Sequence, residues 1–477
     1  MKYIFSGFFI TISLFIYSQN PNPSGEIDSK IAGIMNRENF SGLTSVIVKD
    51  NEIIWLESYG YANTASESPY TDSTSQMIAS ISKLFTGIAI MQLKEAGKLK
   101  LDDNINKYLP FEIKNPKFEN YPITFRMLLT HTSSIKDSDA ADNYYNWEGD
   151  PLISLADCIK SYFSTEGEDY NPRKNFMNKP PGSVYEYSNM ATALEGYLVE
   201  LISGQAFYEY CNKNIFEALC FKNTNWFIGE YSDTTMIANP HIYTSNFEPQ
   251  KHYGFADYPD GMLHTNAKDL ANFMVAVLQQ GIFNDNRILS QSSFEEMLSI
   301  QIPLIDEYQG LQFYKEEFSV STGNILLWGH SGSEYGITTE LFFDTQKNIA
   351  IAVLANADAD ATDIFQVLYD YATNSRFTKS TKPECEQNNK ADSAKYLFLY
   401  DVFPNPATNF LTFRADNLNI ASHLINISDL SGKIIISAVK NNNELNIDIS
   451  GLAEGNYLYT IKEEKKIIES GKFIVKR

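Results

Sequence analysis

The spacing of apolar residues predicts how the chain opens. Residues 27–35 have apolar positions at helical spacing, and the apolar runs 43–48 and 53–57 flank a short polar segment. The first pattern predicts a helix and the second predicts a β-hairpin. From Ser80 the apolar positions again recur at helical spacing as far as Gly97, a typical helix stop. We therefore expect Ser80 on the first turn of a core helix.

The rest of the first 378 residues predicts a sheet and helices. Residues 104–280 mix helical segments with polar loops, which indicates a largely helical insertion. Strand-like segments and a final helix follow. The helical segments are 190–202, 267–278 and 364–371, and the strand-like segments are 318–329, 337–343 and 349–354. This order predicts an α/β (α+β) fold, in which an antiparallel sheet is flanked by helices beside a mostly helical subdomain.

A second unit is predicted at the C-terminal end. Residues 378–394 contain almost nothing apolar, which is typical of a solvated linker. Beyond them, short alternating segments separated by Gly, Asn and Asp predict a small all-β sandwich. We place one domain at residues 24–378 and the sandwich at 397–477, joined by a linker at 379–396.

The chain begins with the pattern of a signal peptide. A short basic start, an apolar run and a polar segment lie within residues 1–18. The apolar run is too short to span a bilayer comfortably, and no later stretch has the length of a membrane helix. We therefore expect export and no integral membrane span.

Charge and cysteine content restrict the possible partners. The net charge of −21 repels nucleic-acid phosphates, so no nucleic-acid partner is expected. The four cysteines form no C-x-x-C pair, and we expect isolated buried thiols. The histidines show no metal-ligand spacing and no glycine-rich phosphate loop is present, so neither a metal nor another cofactor is predicted.

Ser80 and Lys83 form the sharpest pair of candidate catalytic residues. Residues three apart share a helix face, so the Lys83 amine can lie beside the Ser80 hydroxyl. We expect burial to lower the pKa of that amine until it can accept or shuttle a proton. The positive end of the helix dipole also favours a developing alkoxide at Ser80.

Two other segments carry candidate site residues. Tyr187 and Asn189 precede a helix that begins near Met190, which places them on a loop facing a cleft. A phenol near an ammonium can work as a phenolate base, and an Asn amide can hold a substrate carbonyl. His330 is expected at a strand start, and Gly332 lets the backbone approach the substrate.

The order and spacing of these motifs resemble those of the serine β-lactamase and DD-peptidase superfamily, nearest to its class C, esterase and D-aminopeptidase branch. The motifs are Ser80-x-x-Lys83, Tyr187-x-Asn189 and His330-x-Gly332. The resemblance covers about residues 25–375 and includes the segments 128–134 and 260–265. It implies a β-lactamase/transpeptidase-like fold.

The resemblance implies a role for each residue. Ser80 attacks a carbonyl to give an acyl-enzyme, while Lys83 and Tyr187 share the base and acid duties. Asn189 orients the substrate, and the backbone amides of Ser80 and Ser333 form the oxyanion hole. The expected substrate is a small molecule or peptide: a D-amino peptide, a β-lactam or a small ester.

Two positions depart from the family pattern. His330 stands where lactamase members carry Lys, and Ser134 stands where many relatives have Gly. A histidine with an ordinary pKa of about 6.5 is mostly neutral at neutral pH and holds a substrate carboxylate weakly. We expect ester hydrolysis, weak β-lactam turnover, and a gain on carboxylate-bearing substrates from His330→Lys or from a lower pH.

The C-terminal segment resembles the sorting domain of the type IX secretion pathway. The matching stretches are residues 403–406, 429–433, 455–457 and 472–477. The resemblance implies that the type IX machinery is a partner, and that the protein is secreted or held at the cell surface after export through the periplasm. A carbohydrate-binding or merely stabilising sandwich is the alternative.

Two other interpretations of the catalytic region stay open at this point. Ser331 could be the nucleophile of a different hydrolase, although Ser333 stands where a G-x-S-x-G motif requires Gly. The chain could also be a catalytically weak peptidoglycan- or peptide-binding protein that keeps the fold. The first interpretation, with Ser80 as nucleophile, explains the largest number of motifs.

Overall fold

The structure of the protein, a computed structural model, describes part of the chain in each of two units, Met1–Asn388 and Asn389–Arg477. The described residues are 20–383, 385, 401–403, 407–414, 423–429, 433–440, 444–463 and 466–476. The predicted signal peptide, residues 1–18, and most of the predicted linker, residues 379–396, lie outside the described residues.

Helices of the first unit include the five that the apolar spacing predicts near residues 27–35, 80–97, 190–202, 267–278 and 364–371. In chain order they are α1 Gly25–Glu38, α2 Ser82–Glu95, α3 Phe125–Leu129, α4 Leu155–Phe163, α5 Asn189–Ser203, α6 Phe207–Cys211, α7 Ala267–Leu278, α8 Gln291–Met297 and α9 Thr362–Asn374. Ser24 caps α1, because its side chain accepts a hydrogen bond from the backbone of Ile27. Ser188 caps α5 in the same way through Ala191.

The strands of the first unit form one large antiparallel sheet and several short pairs. The strands are β1 Gly42–Lys49, β2 Glu52–Asn63, β3 Ser68–Pro69, β4 Gln76–Met77, β5 Tyr145–Asn146, β6 His241–Tyr243, β7 Phe247–Pro249, β8 Gly254–Phe255, β9 His264–Thr265, β10 Ile282–Phe283, β11 Asn286–Arg287, β12 Tyr314–Val320, β13 Gly323–Glu334, β14 Ile337–Asp344 and β15 Ile349–Ala355. Within the described residues, the large sheet has the order β12-β13-β14-β15-β1-β2-β3.

Helices cover both faces of this sheet. The hairpin β1–β2 turns at Asp50 and Asn51, whose positive φ angles of 52° and 67° suit a two-residue hairpin turn. Helices α1 and α9 pack on one face and form a shared apolar core with the sheet, whereas α7 packs on β1 and β15. The predicted antiparallel sheet flanked by helices is confirmed.

The helical subdomain is built around α2. Almost every residue of α2 is buried, since it packs against α5 and against short segments between them. A 3₁₀ turn, Ala79–Ile81, precedes α2 and packs against β13 and β14. Ser80 therefore lies on a tight turn where the subdomain meets the sheet, and the α-helix itself begins two residues after the predicted start, at Ser82.

One strand prediction is wrong. The apolar run at residues 318–329 predicts a single strand, but the chain reverses at Ser321 and Thr322, with Val320 opposite Gly323. Gly323 has a φ of +112°, which a side chain rarely tolerates. The turn lies in the polar stretch 321–324, which the single-strand prediction passed over. As a result His330 lies well inside β13 rather than at a strand start.

The cysteine prediction is wrong for one pair. Cys220 and Cys385 form a disulfide across a sequence separation of 165 residues, whereas Cys158 and Cys211 are buried free thiols. Spacing along the chain carries no information about such a distant pair. Near the bridge, Thr381 exchanges backbone hydrogen bonds with Ile53 at 2.8 and 2.9 Å. Both contacts hold the end of the first unit against its sheet.

The second unit is a small β-sandwich, as predicted. Its strands are β16 Asp401–Phe403, β17 Phe410–Arg414, β18 His423–Ser428, β19 Ile434–Lys440, β20 Glu444–Asp448, β21 Gly455–Glu463 and β22 Lys466–Val475. They form two sheets, β16-β17-β20 and β19-β18-β21-β22. Leu411 and Phe413 from one sheet and Ile425 and Ile461 from the other share one apolar core.

Candidate active site

A strained turn presents Ser80. Ala79 has a φ of 48°, in the left-handed region that alanine rarely adopts. Strand β13 crosses this turn so closely that a Cβ on Gly332 would meet Thr339 Oγ1, lie 2.6 Å from the Ile78 carbonyl and lie 3.0 Å from the Ser80 amide nitrogen. Only glycine permits this approach, which brings the backbone of β13 beside the Ser80 amide.

Lys83 is fully buried, and its ammonium has three hydrogen-bond partners. Nζ lies 3.1 Å from Ser80 Oγ, 2.8 Å from Asn189 Oδ1 and 2.7 Å from the Asp260 carbonyl oxygen. An ammonium has three N–H donors, so these partners use all of them. The spacing that placed Lys83 beside Ser80 in the sequence is realised in space.

Tyr187 completes the group around Ser80. Its hydroxyl is hydrogen-bonded to Ser80, with the two oxygens 2.8 Å apart. Lys83 Nζ lies 5.0 Å from the centre of the Tyr187 ring. On its other side the ring packs against the buried His131, with centroids 4.4 Å apart. Ser80, Lys83, Tyr187 and Asn189 are thus brought together as one hydrogen-bonded network.

Asp137 holds the start of α5, although the sequence motifs do not include it. Its carboxylate accepts hydrogen bonds from Ser188 Oγ at 2.7 Å and from the backbone amides of Asn189 at 2.7 Å and Met190 at 3.1 Å. A carboxylate is favoured at a helix N-terminus, where backbone N–H groups have no partner within the helix. Asp137 thereby fixes the segment that carries Tyr187. Nothing in the sequence pattern marks this long-range contact.

The charge of Lys83 differs from the expectation. Burial lowers the pKa of its amine, but the negative charges that Tyr187, Asp260 and Asp137 can carry together raise it above the ordinary value. Lys83 is therefore an ammonium in the resting site. The prediction that burial would lower the pKa of this amine is wrong, because the acidic neighbours are not visible in the Ser-x-x-Lys pattern.

The structure also corrects the expected behaviour of His330. Burial, together with the positive charge of Lys83, lowers the pKa of His330 to about 3. Its Nδ1 lies 2.5 Å from the Ser331 carbonyl oxygen. His330 is therefore neutral at neutral pH, as expected, but mild acid does not protonate it. The predicted gain on carboxylate-bearing substrates at lower pH is withdrawn for this reason.

The end of β13 presents the remaining predicted residues. Residues two apart on a strand share a face, so His330 and Gly332 lie on the face toward Ser80, and Ser331 lies on the opposite face. The Ser331 hydroxyl is hydrogen-bonded to Tyr314 at 2.7 Å. Ser333 follows Gly332, so its backbone is next to the turn that carries Ser80. The structure does not bring Ser331 into the network around Ser80.

Two buried acids, Asp257 and Asp260, belong to the segment whose Asp260 carbonyl accepts a hydrogen bond from Lys83. Burial is the largest cause that raises the pKa of Asp257 to about 7, and the charges of Asp137 and Glu334 act in the same direction. Burial and the charge of Asp257 raise the pKa of Asp260 well above its ordinary value. Asp257 Oδ1 has no hydrogen-bond partner among the described residues. Both carboxyl groups therefore ionise less readily than an exposed aspartate.

A serine hydroxyl hydrogen-bonded to a buried ammonium and to a phenol, beside a strand in a sheet-and-helix fold, is the arrangement of a nucleophile with proton-handling partners that is found in penicillin-binding proteins. Comparison with known proteins agrees. Residues 27–369 match the family described as Beta-lactamase, and the chain belongs to that family.

Relatives with curated descriptions and solved structures share this region. The chain is 24% identical over 340 residues to Protein flp of Staphylococcus aureus strain MW2, which covers 70% of this chain and 63% of that relative. An octameric penicillin-binding protein homologue from Pyrococcus abyssi has the same fold, with a TM-score of 0.58, 21% identity and coverage of 95% and 96% of the two chains. A D-amino acid amidase from Ochrobactrum anthropi SV3 gives a TM-score of 0.57, 20% identity and coverage of 73% and 100%.

The second unit also matches a known family. Residues 401–476 match the family described as Secretion system C-terminal sorting domain. This domain is handled by the type IX secretion machinery, so the protein is a secreted or cell-surface protein. Among the helices that the structure describes, none combines the length and apolar character needed to cross a membrane.

Proposed function

We propose that the protein is an exported hydrolase that cleaves an amide or ester through an acyl-enzyme on Ser80. The observation that carries this proposal is that one hydroxyl, Ser80 Oγ, is hydrogen-bonded to both the Lys83 ammonium at 3.1 Å and the Tyr187 hydroxyl at 2.8 Å. A serine needs a proton acceptor within hydrogen-bond reach to become a nucleophile, and this pair supplies one.

Tyr187, in its phenolate form, is the base in this proposal. The buried Lys83 ammonium keeps its proton and, with Nζ 5.0 Å from the centre of the Tyr187 ring, favours a negative charge on the Tyr187 oxygen. As Ser80 Oγ bonds to the carbonyl carbon, the Ser80 proton moves to the Tyr187 oxygen. The carbonyl oxygen takes the negative charge and lies between the backbone amides of Ser80 and Ser333.

The two halves of the reaction use the same proton carrier, Tyr187. Tyr187 gives its proton to the leaving nitrogen or oxygen as the bond to the carbonyl carbon breaks, which leaves the acyl group on Ser80. A water molecule then attacks that carbonyl, and its proton passes to Tyr187. Ser80 Oγ departs and takes the proton back, so the acid product is released and the site returns to its starting state.

We infer that the substrate is a D-amino acid derivative or a small ester rather than a β-lactam. The relative from Ochrobactrum anthropi is named a D-amino acid amidase, and this supports an amide of that class. The carboxylate of a β-lactam needs a cation beside the reacting carbonyl. His330 is neutral here, since burial lowers its pKa to about 3. A charge-assisted hydrogen bond contributes about 1.5–3 kcal/mol, so its loss lowers specificity for anionic substrates by about one to two powers of ten.

Covalent labelling tests the nucleophile. The full chain, treated with a fluorophosphonate, is expected to carry the adduct on the peptide that contains Ser80, and Ser80→Ala should abolish labelling. Ser331→Ala is the matched control and should label normally. An adduct on Ser331 would refute the proposal, whereas absence of any adduct together with peptide binding would favour the binding protein that keeps the fold.

A side-by-side activity panel tests the substrate class. D-amino acid amides, a cephalosporin and p-nitrophenyl esters are compared with wild type and with His330→Lys. We expect wild type to prefer the amide or the ester, and His330→Lys to raise the specificity constant for the cephalosporin. A wild type that turns over the cephalosporin far better than the ester contradicts the substrate proposal.

A further inference from the structure

An aromatic wall stands at the end of β13, the strand whose Gly332 lies beside the Ser80 amide. The wall consists of Tyr145, Trp147, Tyr253 and Tyr335. The Trp147 ring lies 5.3 Å from the Tyr145 ring, 5.2 Å from the Tyr253 ring and 5.6 Å from the Tyr335 ring. Tyr253 is buried, and its hydroxyl donates a hydrogen bond to the Tyr335 carbonyl at 3.0 Å. The exposed rings therefore rest on a fixed base.

Two rings of the wall are open to solvent although they are large and well packed. Trp147 is 53% exposed and Tyr335 is 44% exposed. Trp and Tyr faces exposed together in a rigid cluster are typical of a binding surface, because they offer contact area at small entropic cost. Their faces also attract cations, because the electrostatic potential over an aromatic ring face is negative.

Glu334 joins this wall to the catalytic centre. It follows Ser333, whose amide is the proposed second oxyanion donor, and one residue of strand advances the chain by only about 3.3 Å. Glu334 lies on the same face of β13 as Gly332, the face that approaches Ser80. Tyr145 holds the Glu334 carboxylate, since its hydroxyl lies 3.2 and 3.3 Å from the two carboxylate oxygens.

Among the described residues beside Ser80, neither basic side chain offers a charged donor to a substrate carboxylate. The three N–H donors of Lys83 are hydrogen-bonded to Ser80, Asn189 and the Asp260 carbonyl, so none remains for a substrate carboxylate. His330 is neutral. Burial raises the pKa of the Glu334 carboxyl, and a bound cation would supply the counter-charge that restores its ionised form.

We propose that Glu334 and the aromatic wall form a subsite for a primary ammonium group on the substrate. The inference rests on the proposed function and narrows it: the preferred substrate is an amide or ester of an amino acid whose amine is free. The ammonium hydrogen-bonds to the Glu334 carboxylate and lies against the faces of Trp147 and Tyr335, while the carbonyl carbon lies at Ser80. An acylated amine loses both interactions.

Binding to the full chain carrying Ser80→Ala tests the subsite without turnover. The probes are D-alanine p-nitroanilide, which has a free ammonium, and N-acetyl-D-alanine p-nitroanilide, which has none. Calorimetry should show that the ammonium probe binds at least about tenfold more tightly, and that adding Glu334→Gln reduces this ratio about tenfold. Trp147→Leu, a change at an exposed position, should reduce the ratio severalfold.

Glu148→Gln is the matched control. Glu148 follows Trp147 directly, but its side chain is 74% exposed and paired with Lys251, so the ratio should stay as in the parent protein. Equal binding of the two probes, or a ratio that neither Glu334→Gln nor Trp147→Leu changes, overturns the inference.

Hydrolysis by the wild-type chain, lost in Ser80→Ala, tests the proposed function separately. A Ser80→Ala protein that selects the ammonium probe while wild type hydrolyses neither probe would retain the subsite and reject the hydrolase. Hydrolysis by wild type, together with equal binding of the two probes to the Ser80→Ala protein, would support the hydrolase and reject the subsite.

Discussion

At the scale of single residues, burial lowers the pKa of both basic groups beside Ser80, and neighbouring charges reverse that effect only for Lys83. Lys83 and His330 are both buried next to Ser80, yet the pKa of Lys83 rises and that of His330 falls to about 3. The difference comes from their neighbours, since Tyr187 and Asp260 favour the lysine cation, and that cation then opposes a second positive charge on His330. The site therefore holds one fixed cation.

Removal of the Tyr187 hydroxyl tests its role as proton carrier. Tyr187→Phe keeps the ring that packs on His131 but loses the hydroxyl 2.8 Å from Ser80 Oγ. General acid–base catalysis typically contributes 10²–10⁴-fold, so kcat/KM for a p-nitrophenyl ester should fall by about that factor. Tyr185→Phe is the control, because Tyr185 packs on the other side of His131 and touches neither Ser80 nor Lys83 in the described contacts. A Tyr187→Phe rate within about threefold of wild type would assign the proton transfer elsewhere.

Asp257 should make stability depend on pH. Burial raises its folded-state pKa to about 7, whereas an unfolded aspartate has a pKa of about 3.9. Between these values the unfolded state loses the proton and the folded state keeps it, so this residue destabilises the protein increasingly as pH rises from about 4 to about 7.

Asp257→Asn removes this pH-dependent destabilisation. We expect the variant to gain free energy of unfolding relative to wild type, and the gain should be on the order of 2 kcal/mol larger at pH 8 than at pH 4. Denaturant titration at both pH values measures it. Any constant cost of the amide cancels in the difference. Asp233→Asn, at an exposed position with the opposite pKa shift, is the control. A gain that does not change with pH would mean that Asp257 is ionised throughout.

Residue by residue, the sequence predicts the parts of the site that short spacing encodes. Ser80 with Lys83, and Tyr187 with Asn189, occur in local motifs whose geometry a helix or its cap dictates. Asp137 and Glu334 act across 50 residues or more of sequence, so no local pattern shows their partners. The same reason explains why the charge of Lys83 was predicted in the wrong direction.

At the scale of elements, the close crossing of β13 over the Ala79–Ile81 turn is the critical contact. Patterning places the Ser80 motif at the start of its helix and predicts strand-like residues as far as 329. It does not predict the left-handed Ala79, nor the hairpin that carries β13, because apolar spacing does not report backbone strain or chain reversal. Ser134 has a positive φ of 62°, a conformation that glycine adopts more readily than serine.

Gly332→Ala tests the crossing. The added methyl would clash with Thr339 Oγ1 and lie 2.6 Å from the Ile78 carbonyl, so β13 must move away from Ser80. We expect kcat/KM to fall at least about 100-fold, because displaced oxyanion donors typically cost that much. Overpacking should lower the free energy of unfolding by about 1–3 kcal/mol.

Gly33→Ala is the corresponding control, since a Cβ there meets nothing within 4 Å. It should leave activity unchanged and stabilise α1 by about 0.5–1 kcal/mol. If Gly332→Ala lowers stability but leaves kcat/KM intact, then the amide of Ser333 does not depend on this crossing and the proposed oxyanion hole is wrong.

At the scale of the whole molecule, the first unit extends past the predicted domain end at residue 378. Thr381 pairs with Ile53 through two backbone hydrogen bonds, and Cys385 is bridged to Cys220. The polar composition of this segment predicts a linker. A surface segment that is held by a disulfide and by strand pairing has the same polar composition. Composition reports solvation, and it does not report a distant disulfide or strand pairing.

Two truncated chains distinguish the catalytic unit from its tail. A chain of residues 20–388 keeps the Thr381 pairing and the disulfide, whereas a chain of residues 20–378 loses both. Loss of a disulfide that closes a long loop typically costs 2–5 kcal/mol, so the shorter chain should unfold at a lower denaturant concentration by about that free energy. The longer chain, produced under oxidising conditions, should match the full protein in kcat/KM on an ester, and reduction should lower its stability toward that of the shorter chain.

Equal stability of the two truncated chains would show that residues 379–388 contribute nothing to the fold. Loss of activity in the longer chain would instead show that the β-sandwich takes part in catalysis and is more than a sorting domain.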